Sequence, residues 1–239
     1  MQDIGDRMKS SYETRHRHYL TRRTPVIVRL DGKAFHTFTR GMEKPFSQTL
    51  INRMVSAAYH TKRQMQGCKA AYIQSDEASF LLTDYDTHQT CGWFDYCQNK
   101  IESVSASIMT SEFNGLGGFA VNGKNANFDS RAFNIPRDEV ANYFLWRMKD
   151  WERNSVAMLC QSHFSHTQLH GQGRADQHEM LHKIGVNWAD LDDQLKNGTW
   201  IIGDDIITNI MPTYRDIANA LDVHIDCDKQ GLAEAVNNG

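Results

Sequence analysis

Three acidic side chains stand beside predicted turns, and their spacing favours a site for divalent cations. Asp31 and Gly32 follow a short β-branched segment, and Asp76 and Glu77 separate two further apolar segments. Carboxylate oxygens are ligands that Mg²⁺ prefers, and two such ions can activate an attacking oxygen and stabilise a leaving one during phosphoryl transfer. Gly32 would let the backbone approach phosphate, and Lys33 adds positive charge. Both acidic segments are also ordinary turn sequences, so they indicate catalysis only if the fold brings them together.

The elements that must position these carboxylates follow from the apolar patterning. In chain order, the predicted elements are a strand at 25–30, a helix at 47–66, hairpin strands at 70–74 and 78–83, a helix at 94–113, a flexible Gly- and Asn-rich connection at 114–127, a strand at 128–135, helices at 136–161 and 175–183, and a strand at 199–202. This order is the β-α-β-β-α-β arrangement of a ferredoxin-like antiparallel sheet with additional helices. We therefore predict an α+β fold in which Asp31 lies near the hairpin turn.

Composition narrows the class of protein. The chain has 239 residues, of which 40% are hydrophobic and 23% charged, as in an ordinary globular protein. Its apolar segments are too short to cross a bilayer and its N-terminus has no signal-peptide core, so we expect a cytoplasmic protein with no membrane partner. Five cysteines, without a Cys-x-x-Cys pair, predict reduced thiols and not disulfides or a zinc ribbon.

The charge of the chain is unevenly distributed. The net charge is −3, but residues 1–200 carry 24 basic and 22 acidic side chains, whereas residues 201–239 carry 2 and 7. Nine of the basic side chains fall within residues 1–40. A basic front segment therefore precedes the predicted catalytic strand, and an acidic tail, with weak helical periodicity around 217–223, follows the last predicted strand.

At the catalytic positions the sequence resembles the tRNA(His) guanylyltransferase family, whose members add nucleotides to tRNA 5′ ends. The matching segments run in family order and are residues 28–36 (Val-Arg-Leu-Asp-Gly-Lys-Ala-Phe-His), 74–77 (Gln-Ser-Asp-Glu), 128–131, 143–147, 175–179 and 197–199. The resemblance implies a polymerase-like palm with the family's C-terminal helices over residues 1–202, followed by an appendage of unknown role over 203–239. It also implies two Mg²⁺ ions, nucleoside triphosphate substrates such as GTP and ATP, tRNA as the partner, and a homotetramer.

The resemblance assigns roles to individual residues. Asp31 and Asp76 would ligate both metals together with the Gly32 carbonyl, and Glu77 would support them. The implied nucleotide contacts are Asp31, Gly32, Lys33, Ala34, Phe35, His36, Ser75, Asp76 and Lys100. The basic front segment, the matching segment 128–131 and the segment 152–155 supply the candidate RNA contacts, which are Arg15, Arg17, Arg22, Arg23, Arg131 and Asn154.

One segment departs from the enzymes that are specific for histidine tRNA. Those enzymes carry His-Ile-Asn-Asn soon after the Trp-Arg pair, whereas this chain has Glu-Arg-Asn-Ser at 152–155. This segment resembles instead the guanylyltransferase-like branch, which repairs truncated tRNA 5′ ends. We therefore expect templated 3′-to-5′ nucleotide addition, with addition of G at position −1 of tRNA(His) as the alternative.

Other functions stay open at this stage. His178, Glu179 and His182 form a His-Glu-x-x-His motif of zinc hydrolases, although Trp188 occupies the position of a metzincin's third ligand. A second group would suit a structural metal site or an exposed polar helix face, and it comprises Cys160, His163, His166 and His170. A palm-type nucleotide cyclase would not need the basic front segment. A non-catalytic tRNA-binding protein would have no use for three clustered acids.

Overall fold

One antiparallel sheet carries the whole arrangement. The computed structural model describes residues 3–115, 121, 123–208, 211 and 213–222. In these residues the strands are β1 (Val26–Gly32), β2 (Cys68–Gln74), β3 (Glu77–Leu82), β4 (Phe128–Asn134), β5 (Thr199–Ile202) and β6 (Asp205–Ile207). They pair in the order β4-β1-β3-β2-β5-β6, and every pairing is antiparallel. The first four strands have the predicted ferredoxin-like order, which confirms the α+β class.

Helices cover both faces of this sheet. The α-helices in the described residues are α1 (Ile4–Met8), α2 (Phe35–Phe38), α3 (Gln48–Gln64), α4 (Gln98–Gly115), α5 (Val140–His163), α6 (His166–Leu169), α7 (Arg174–Lys183), α8 (Asp193–Asn197) and α9 (Tyr214–Leu221). A π-helical turn at Lys9–Glu13 continues α1, and 3₁₀ turns occur at Thr14–His16, Trp93–Tyr96, Arg137–Glu139 and Trp188–Asp190. No helix in these ranges is long and apolar enough to span a membrane.

The strand β1 divides its side chains between the two faces, as strand geometry requires. Val26, Val28 and Leu30 lie in the core beneath α3 and α4, whereas Ile27 lies in the core beneath α5 and α9. The helix α3 begins where Ser47 Oγ accepts a hydrogen bond from Leu50 N at 3.4 Å, which is an ordinary N-cap. These two cores fix the sheet that presents Asp31.

The helix α5 changes its packing partner along its length. Its N-terminal half buries Phe144 and Met148 against Trp200 on the sheet. Its C-terminal half buries Val156 and Leu159 in a separate small cluster with α7. The helix therefore extends beyond the sheet edge with support from α7.

One predicted element begins later than expected, and another lies partly outside the described residues. The helix predicted over 94–113 begins at Gln98, because Phe94 and Asp95 have positive φ angles of 51° and 52° and form a separate turn. The connection predicted at 114–127 has residues 116–120 and 122 outside the described ranges, and Val121 and Lys124 form an isolated bridge. Positive φ is costly for residues with a side chain, so propensity alone does not reveal such a turn.

The domain boundary predicted after residue 202 stays a prediction. β6 pairs with β5, and α9 buries Ile217 and Ala218 in the core shared with α5. The helical periodicity predicted around 217–223 coincides with α9 as far as Leu221, where the helix ends. Residues 223–239 lie outside the described ranges.

Candidate active site

Strand pairing brings the three predicted carboxylates to one edge of the sheet. Asp31 is paired with Glu77 on β3 and with Asp129 on β4. Asp76 lies in the β2–β3 turn, where its carbonyl oxygen accepts a hydrogen bond from Gly32 N at 3.0 Å. Direct cross-strand partners point to the same face, so Asp31, Glu77 and Asp129 share one face of the sheet.

The carboxylate of Glu77 is already neutralised by arginines. It is buried, and Arg147 donates Nε to Oε1 and an Nη2 hydrogen to Oε2, each at 2.7 Å. Arg29 Nε lies 3.2 Å from Oε2 at an angle that makes an ion pair and not a hydrogen bond. Such a bidentate pair satisfies both carboxylate oxygens and fixes their orientation. Glu77 is therefore held away from the role of a free ligand.

Asp31 and Asp76 have a different environment. Within the described residues, neither forms an ion pair with a lysine, arginine or histidine. Burial raises the pKa of Asp76, and the negative charges of Asp31 and Glu77 raise it further. A hydrogen bond from Ser75 lowers this pKa but does not reverse the shift. Two adjacent carboxylates without a protein cation would be stabilised by a bound cation.

This donor set fits Mg²⁺. Mg²⁺ is usually bound through one or two carboxylates, with waters and substrate phosphates completing its shell. Across the ranges that the structure describes, no group of three or more His, Cys, Asp or Glu side chains is arranged to hold a metal ion. The predicted trio is thus divided: Asp31 and Asp76 are available as ligands, and Glu77 is engaged by Arg147.

A cleft of about 600 Å³ opens beside these carboxylates. Its lining residues are Asp31, His36, Gln74, Ser75, Asp76, Glu77, Arg147, Trp151, Asn154, Ala157, Met158 and Gln161. Two buried polar atoms in this lining, Gln74 Oε1 and Trp151 Nε1, have no hydrogen-bond partner in the described part of the protein. Buried polar groups are normally paired, so these atoms are suited to a polar ligand or an ordered water.

A second cleft of about 460 Å³ adjoins the first and is bounded by the segment between β1 and α3. The two clefts share five lining residues, which are His36, Ser75, Asp76, Met158 and Gln161. Together the clefts provide an elongated space on both sides of Asp76.

The predicted nucleotide segment 31–36 forms the turn at the end of β1. A Cβ on Gly32 would lie 2.3 Å from the Phe35 ring, so a side chain there would require Phe35 to move. Phe35 is buried in an aromatic cluster and anchors the turn. Lys33 and Ala34 are exposed, and Lys33 N donates to Asn127 O at 2.8 Å. His36 is the residue of this turn that lines both clefts.

Lys100 is not brought to this edge. It lies in the first turn of α4, 5.8 Å from the Phe94 ring centroid. Ser105 of the same helix hydrogen-bonds Ser130 at 2.8 Å, and Thr110 Oγ1 accepts from Phe128 N, so α4 approaches the Asp31 edge only at its C-terminal end. Within one chain the direction of α4 places Lys100 at the end of the helix away from the carboxylates, so its contact with the triphosphate stays a prediction.

Arg22 and Arg23 also lie at the opposite end of the sheet. Both bind Asp84, which is fully buried: Arg22 Nε donates at 2.6 Å and Arg23 N at 2.8 Å. Asp84 follows β3, where Leu82 is paired with Val26 at the start of β1. Arg22 and Arg23 therefore anchor the loop after β3, away from the carboxylates, and their contact with RNA stays a prediction.

The other candidate RNA contacts occupy two regions. Arg15 and Arg17 are exposed in the helical front segment, where Arg17 lies 3.4 Å from Glu13. Arg131 is exposed on β4, 3.7 Å from Asp129, and Asn154 lines the 600 Å³ cleft. Of this group, Arg131 and Asn154 stand beside the carboxylate edge.

The His-Glu-x-x-His segment does not form a metal centre in the described structure. It lies on α7, where the half-buried His178 ring packs edge-on against Trp188 with centroids 5.8 Å apart. Burial lowers the pKa of His178, and the positive charges of Arg174 and His182 lower it further. The second histidine group is split between α5 and α6, with the His166 and His170 rings 6.4 Å apart.

Sequence reasoning gave no role to four residues that shape the site. Arg147, Trp151 and Gln161 line the cleft from α5, and Asp129 flanks Asp31 from β4. A signal was present for the helix residues, because positions 147, 151, 154, 158 and 161 recur at three and four residues and so share one helix face. Asp129 lies in segment 128–131, which resembles the family, but the resemblance gave this aspartate no role.

Comparison with known proteins gives consistent matches. The family described as Thg1, tRNAHis guanylyltransferase, matches residues 5–136. A tRNA(His) guanylyltransferase of Schizosaccharomyces pombe is 30% identical over 196 residues, which cover 74% of this chain and 73% of the relative. A bacterial tRNA(His) guanylyltransferase (Thg1)-like protein in complex with ATP matches with a TM-score of 0.86 and 39% identity over 93% of this chain and 100% of that one. A bacterial Thg1-like protein in complex with GTP gives a TM-score of 0.81 and 36% identity over 94% and 100%.

The likeness to the bacterial Thg1-like proteins supports the guanylyltransferase-like branch. It agrees with the segment 152–155, which lacks the His-Ile-Asn-Asn motif. From its sequence, its palm-like sheet and these relatives, the chain belongs to the tRNAHis guanylyltransferase family and is a nucleotidyltransferase.

Proposed function

We propose that this protein repairs tRNA 5′ ends by Mg²⁺-dependent, template-directed addition of nucleotides in the 3′-to-5′ direction. The observation that carries the proposal is the pair Asp31 and Asp76, free of protein cations in the described residues, at the junction of two clefts. Relatives with 39% and 36% identity have been solved with ATP and GTP, which supports nucleoside triphosphates as substrates. The family's action on tRNA supports tRNA as the partner.

In this proposal Asp31, Asp76 and the Gly32 carbonyl hold two Mg²⁺ ions. When bound, these ions supply the positive charge that activates the attacking hydroxyl and offsets charge on the phosphates. The exposed turn around Lys33 and the hydroxyl of Ser75 face the triphosphate, and His36 lies where the two clefts meet. The protein's contribution is then positioning and charge stabilisation, as in other phosphoryl transfers.

The proposed transfer joins an incoming nucleotide to an activated RNA 5′ end. The 3′-hydroxyl of the incoming triphosphate attacks the 5′ phosphorus and forms a new P–O bond. The bond to the activating group breaks, so pyrophosphate leaves from a 5′ triphosphate and AMP leaves from an adenylylated end. The elongated space on both sides of Asp76 suits two substrates that must meet at one phosphorus.

Addition of G at position −1 of tRNA(His) is the alternative, and the segment 152–155 argues against it. Glu152 pairs with Arg174, Arg153 pairs with Asp150, and Ser155 is buried and accepts a hydrogen bond from Trp188 Nε1 at 2.9 Å. Asn154 is therefore the side chain of this segment that lines the cleft. This segment therefore offers the cleft one amide side chain, Asn154, in place of the family's His-Ile-Asn-Asn segment.

The deciding experiment incubates the protein with labelled triphosphates, Mg²⁺ and a tRNA shortened at its 5′ end, with the opposing template base varied. We expect an extended RNA whose added base follows the template. Insertion of G whatever the template would favour the alternative, a cyclic nucleotide would indicate a cyclase, and an unchanged mixture would indicate a binding protein.

A pair of variants links this activity to the site. Asp76→Ala should abolish addition while the protein stays folded, because it removes one of the two proposed carboxylate ligands. Glu179→Ala, an exposed acid on α7 outside the two clefts, is the matched control and should keep wild-type activity. Wild-type activity in Asp76→Ala would contradict the assignment of the metal site.

The assembly and the domain organisation belong to the same proposal. We take residues 1–202 as the catalytic domain and 203–239 as an acidic appendage, of which β6 and α9 pack on the catalytic core. A homotetramer would let more than one subunit hold a tRNA. Light scattering of the purified protein, alone and with tRNA, measures the number of chains in the complex.

A further inference from the structure

Arg147 is the centre of a buried network that joins the catalytic edge to α5. Its guanidinium donates two hydrogen bonds to Glu77 and one to Asp150 Oδ2 at 3.1 Å. It also stacks over the Trp146 ring, with Cζ 4.5 Å from the ring centroid. Arg147 and Glu77 are 6% exposed each, so both charges are removed from water and depend on one another.

The network continues from Arg147 into the wall of the cleft. Asp150 accepts hydrogen bonds from Arg147 and, at 3.4 Å, from Asn154 Nδ2. Asn154 lines the cleft, one helical turn beyond Asp150. A polar path therefore runs from Glu77, beside the Asp76 turn, to a side chain that faces the cleft.

The same network determines which carboxylates are free at the edge. Glu77 adjoins Asp76 in sequence and is paired with Asp31 across the sheet, so a rotation of its side chain would bring a third negative charge to the Asp31–Asp76 pair. The two bonds from Arg147 oppose that rotation, because a planar guanidinium matches a carboxylate in one orientation.

We propose that Arg147 is a positioning residue: it holds Glu77 out of the cation site and fixes the Asp76 turn against α5 at the spacing that catalysis requires. This inference rests on the proposed nucleotidyl transfer. Its effect should fall on turnover, because an error of about 1 Å in the position of reacting groups can lower a rate by about 100-fold.

The first test compares Arg147→Lys with Arg153→Lys. Lysine keeps the charge but cannot form the two parallel bonds to Glu77. We expect Arg147→Lys to lower kcat by about 10- to 100-fold, with KM for the triphosphate changed by less than about 3-fold. Arg153 is exposed, pairs with Asp150 from the other side and does not line the cleft, so its variant should keep wild-type kcat. A folded Arg147→Lys protein with wild-type kcat would overturn the proposal.

The second test measures binding of Mn²⁺, used in place of Mg²⁺, by electron paramagnetic resonance without RNA. The double variant Glu77→Gln, Arg147→Gln removes both buried charges together and leaves the net charge unchanged, so it should fold even if Arg147→Lys does not. We expect its Mn²⁺ affinity to stay within about 3-fold of wild type while kcat falls, because Asp31 and Asp76 remain. A loss of Mn²⁺ affinity of more than about 10-fold would mean that Glu77 is itself a ligand, against the proposal. Wild-type kcat in this variant would also overturn it.

The two measurements separate this inference from the proposed function. If the wild-type protein failed to extend a shortened tRNA, the proposed substrate would be wrong. The Mn²⁺ measurement involves no RNA, so it would still decide whether Glu77 lies outside the cation site.

Discussion

Substitution of Asp84 by alanine should destabilise the protein and leave its affinity for tRNA unchanged. Asp84 is fully buried and accepts hydrogen bonds from Arg22 Nε at 2.6 Å and Arg23 N at 2.8 Å. Removing one member of a buried ion pair lowers the free energy of unfolding by about 3–5 kcal/mol, because the other charge is left without a partner. Arg22 is partly exposed, so water can replace part of the contact that Asp84 provides. We therefore expect Asp84→Ala to lower the free energy of unfolding by about 3 kcal/mol, near the lower limit of that range. At about 2–4 °C per kcal/mol for a domain of this size, Tm should fall by about 6–12 °C.

The assay is thermal unfolding followed by circular dichroism, combined with filter binding of tRNA. Asp86→Ala is the matched control, because the exposed Asp86 forms a surface ion pair with Lys69 that is worth less than about 1 kcal/mol. Arg22→Gln should also lower Tm, since it breaks the same buried contact. An unchanged Tm in Asp84→Ala would refute the reasoning. So would an Arg22→Gln protein of wild-type Tm that binds tRNA more weakly, because Arg22 would then act in RNA binding and not in anchoring the loop.

Three further predictions concern other parts of the structure. The pKa of Asp76 is raised in the folded protein, so ionisation of Asp76 destabilises the fold as pH rises from its ordinary pKa through the raised pKa. Asp76→Asn removes this charge, so it should raise Tm at pH 7 in EDTA. At about pH 3, where Asp76 is protonated, it should change Tm little. Equal melting curves for both proteins at all pH values would contradict this. Gly198 has φ of 78°, and an added Cβ would lie 2.6 Å from Ile73 O, so Gly198→Ala should cost at least about 1–3 kcal/mol. Gly185→Ala, where a Cβ meets nothing within 4 Å, should cost less in the same unfolding assay. His182→Ala should leave nucleotide addition intact, and loss of activity together with stoichiometric zinc would instead support the hydrolase interpretation.

The sequence predicted the elements that depend on local patterns. The helix α3 carries its N-cap at Ser47 and a regular apolar face, and the Ser75–Asp76 turn separates two apolar strands. These features depend on residues that are close in sequence, so the order of strands and helices could be predicted from them. The position of Asp31 near Asp76 followed in turn from that order.

Features that depend on distant side chains were not predictable in the same way. The bond between Glu77 and Arg147 joins residues 70 positions apart, and no periodic pattern marks it. Lys100 was assigned to the triphosphate from the family resemblance, and the sequence does not show which end of α4 approaches the carboxylates. Arg22 was assigned to RNA because it belongs to the basic front segment, and its partner Asp84 lies 62 positions later. A charged side chain in a sequence carries no sign of whether its partner is a buried acid or a ligand.

Strand β6 was missed for a local reason. It contains three residues, Asp205, Ile206 and Ile207, two of which are exposed. Such a segment is too short for an alternating pattern to be detected. Its pairing with β5 supplies the order that its own sequence does not.

Because α5 packs against two different partners, substitutions in its two halves should have different effects. Its first half is fixed by the sheet core through Phe144 and Met148, whereas its second half rests on α7 and presents Asn154, Met158 and Gln161 to the cleft. If the cleft holds the RNA end as proposed, substitutions at Met158 or Gln161 would change the wall of the cleft and leave the core beneath Asp31 in place. The cleft wall formed by the second half of α5 and the sheet that presents the carboxylates therefore rest on two separate hydrophobic clusters.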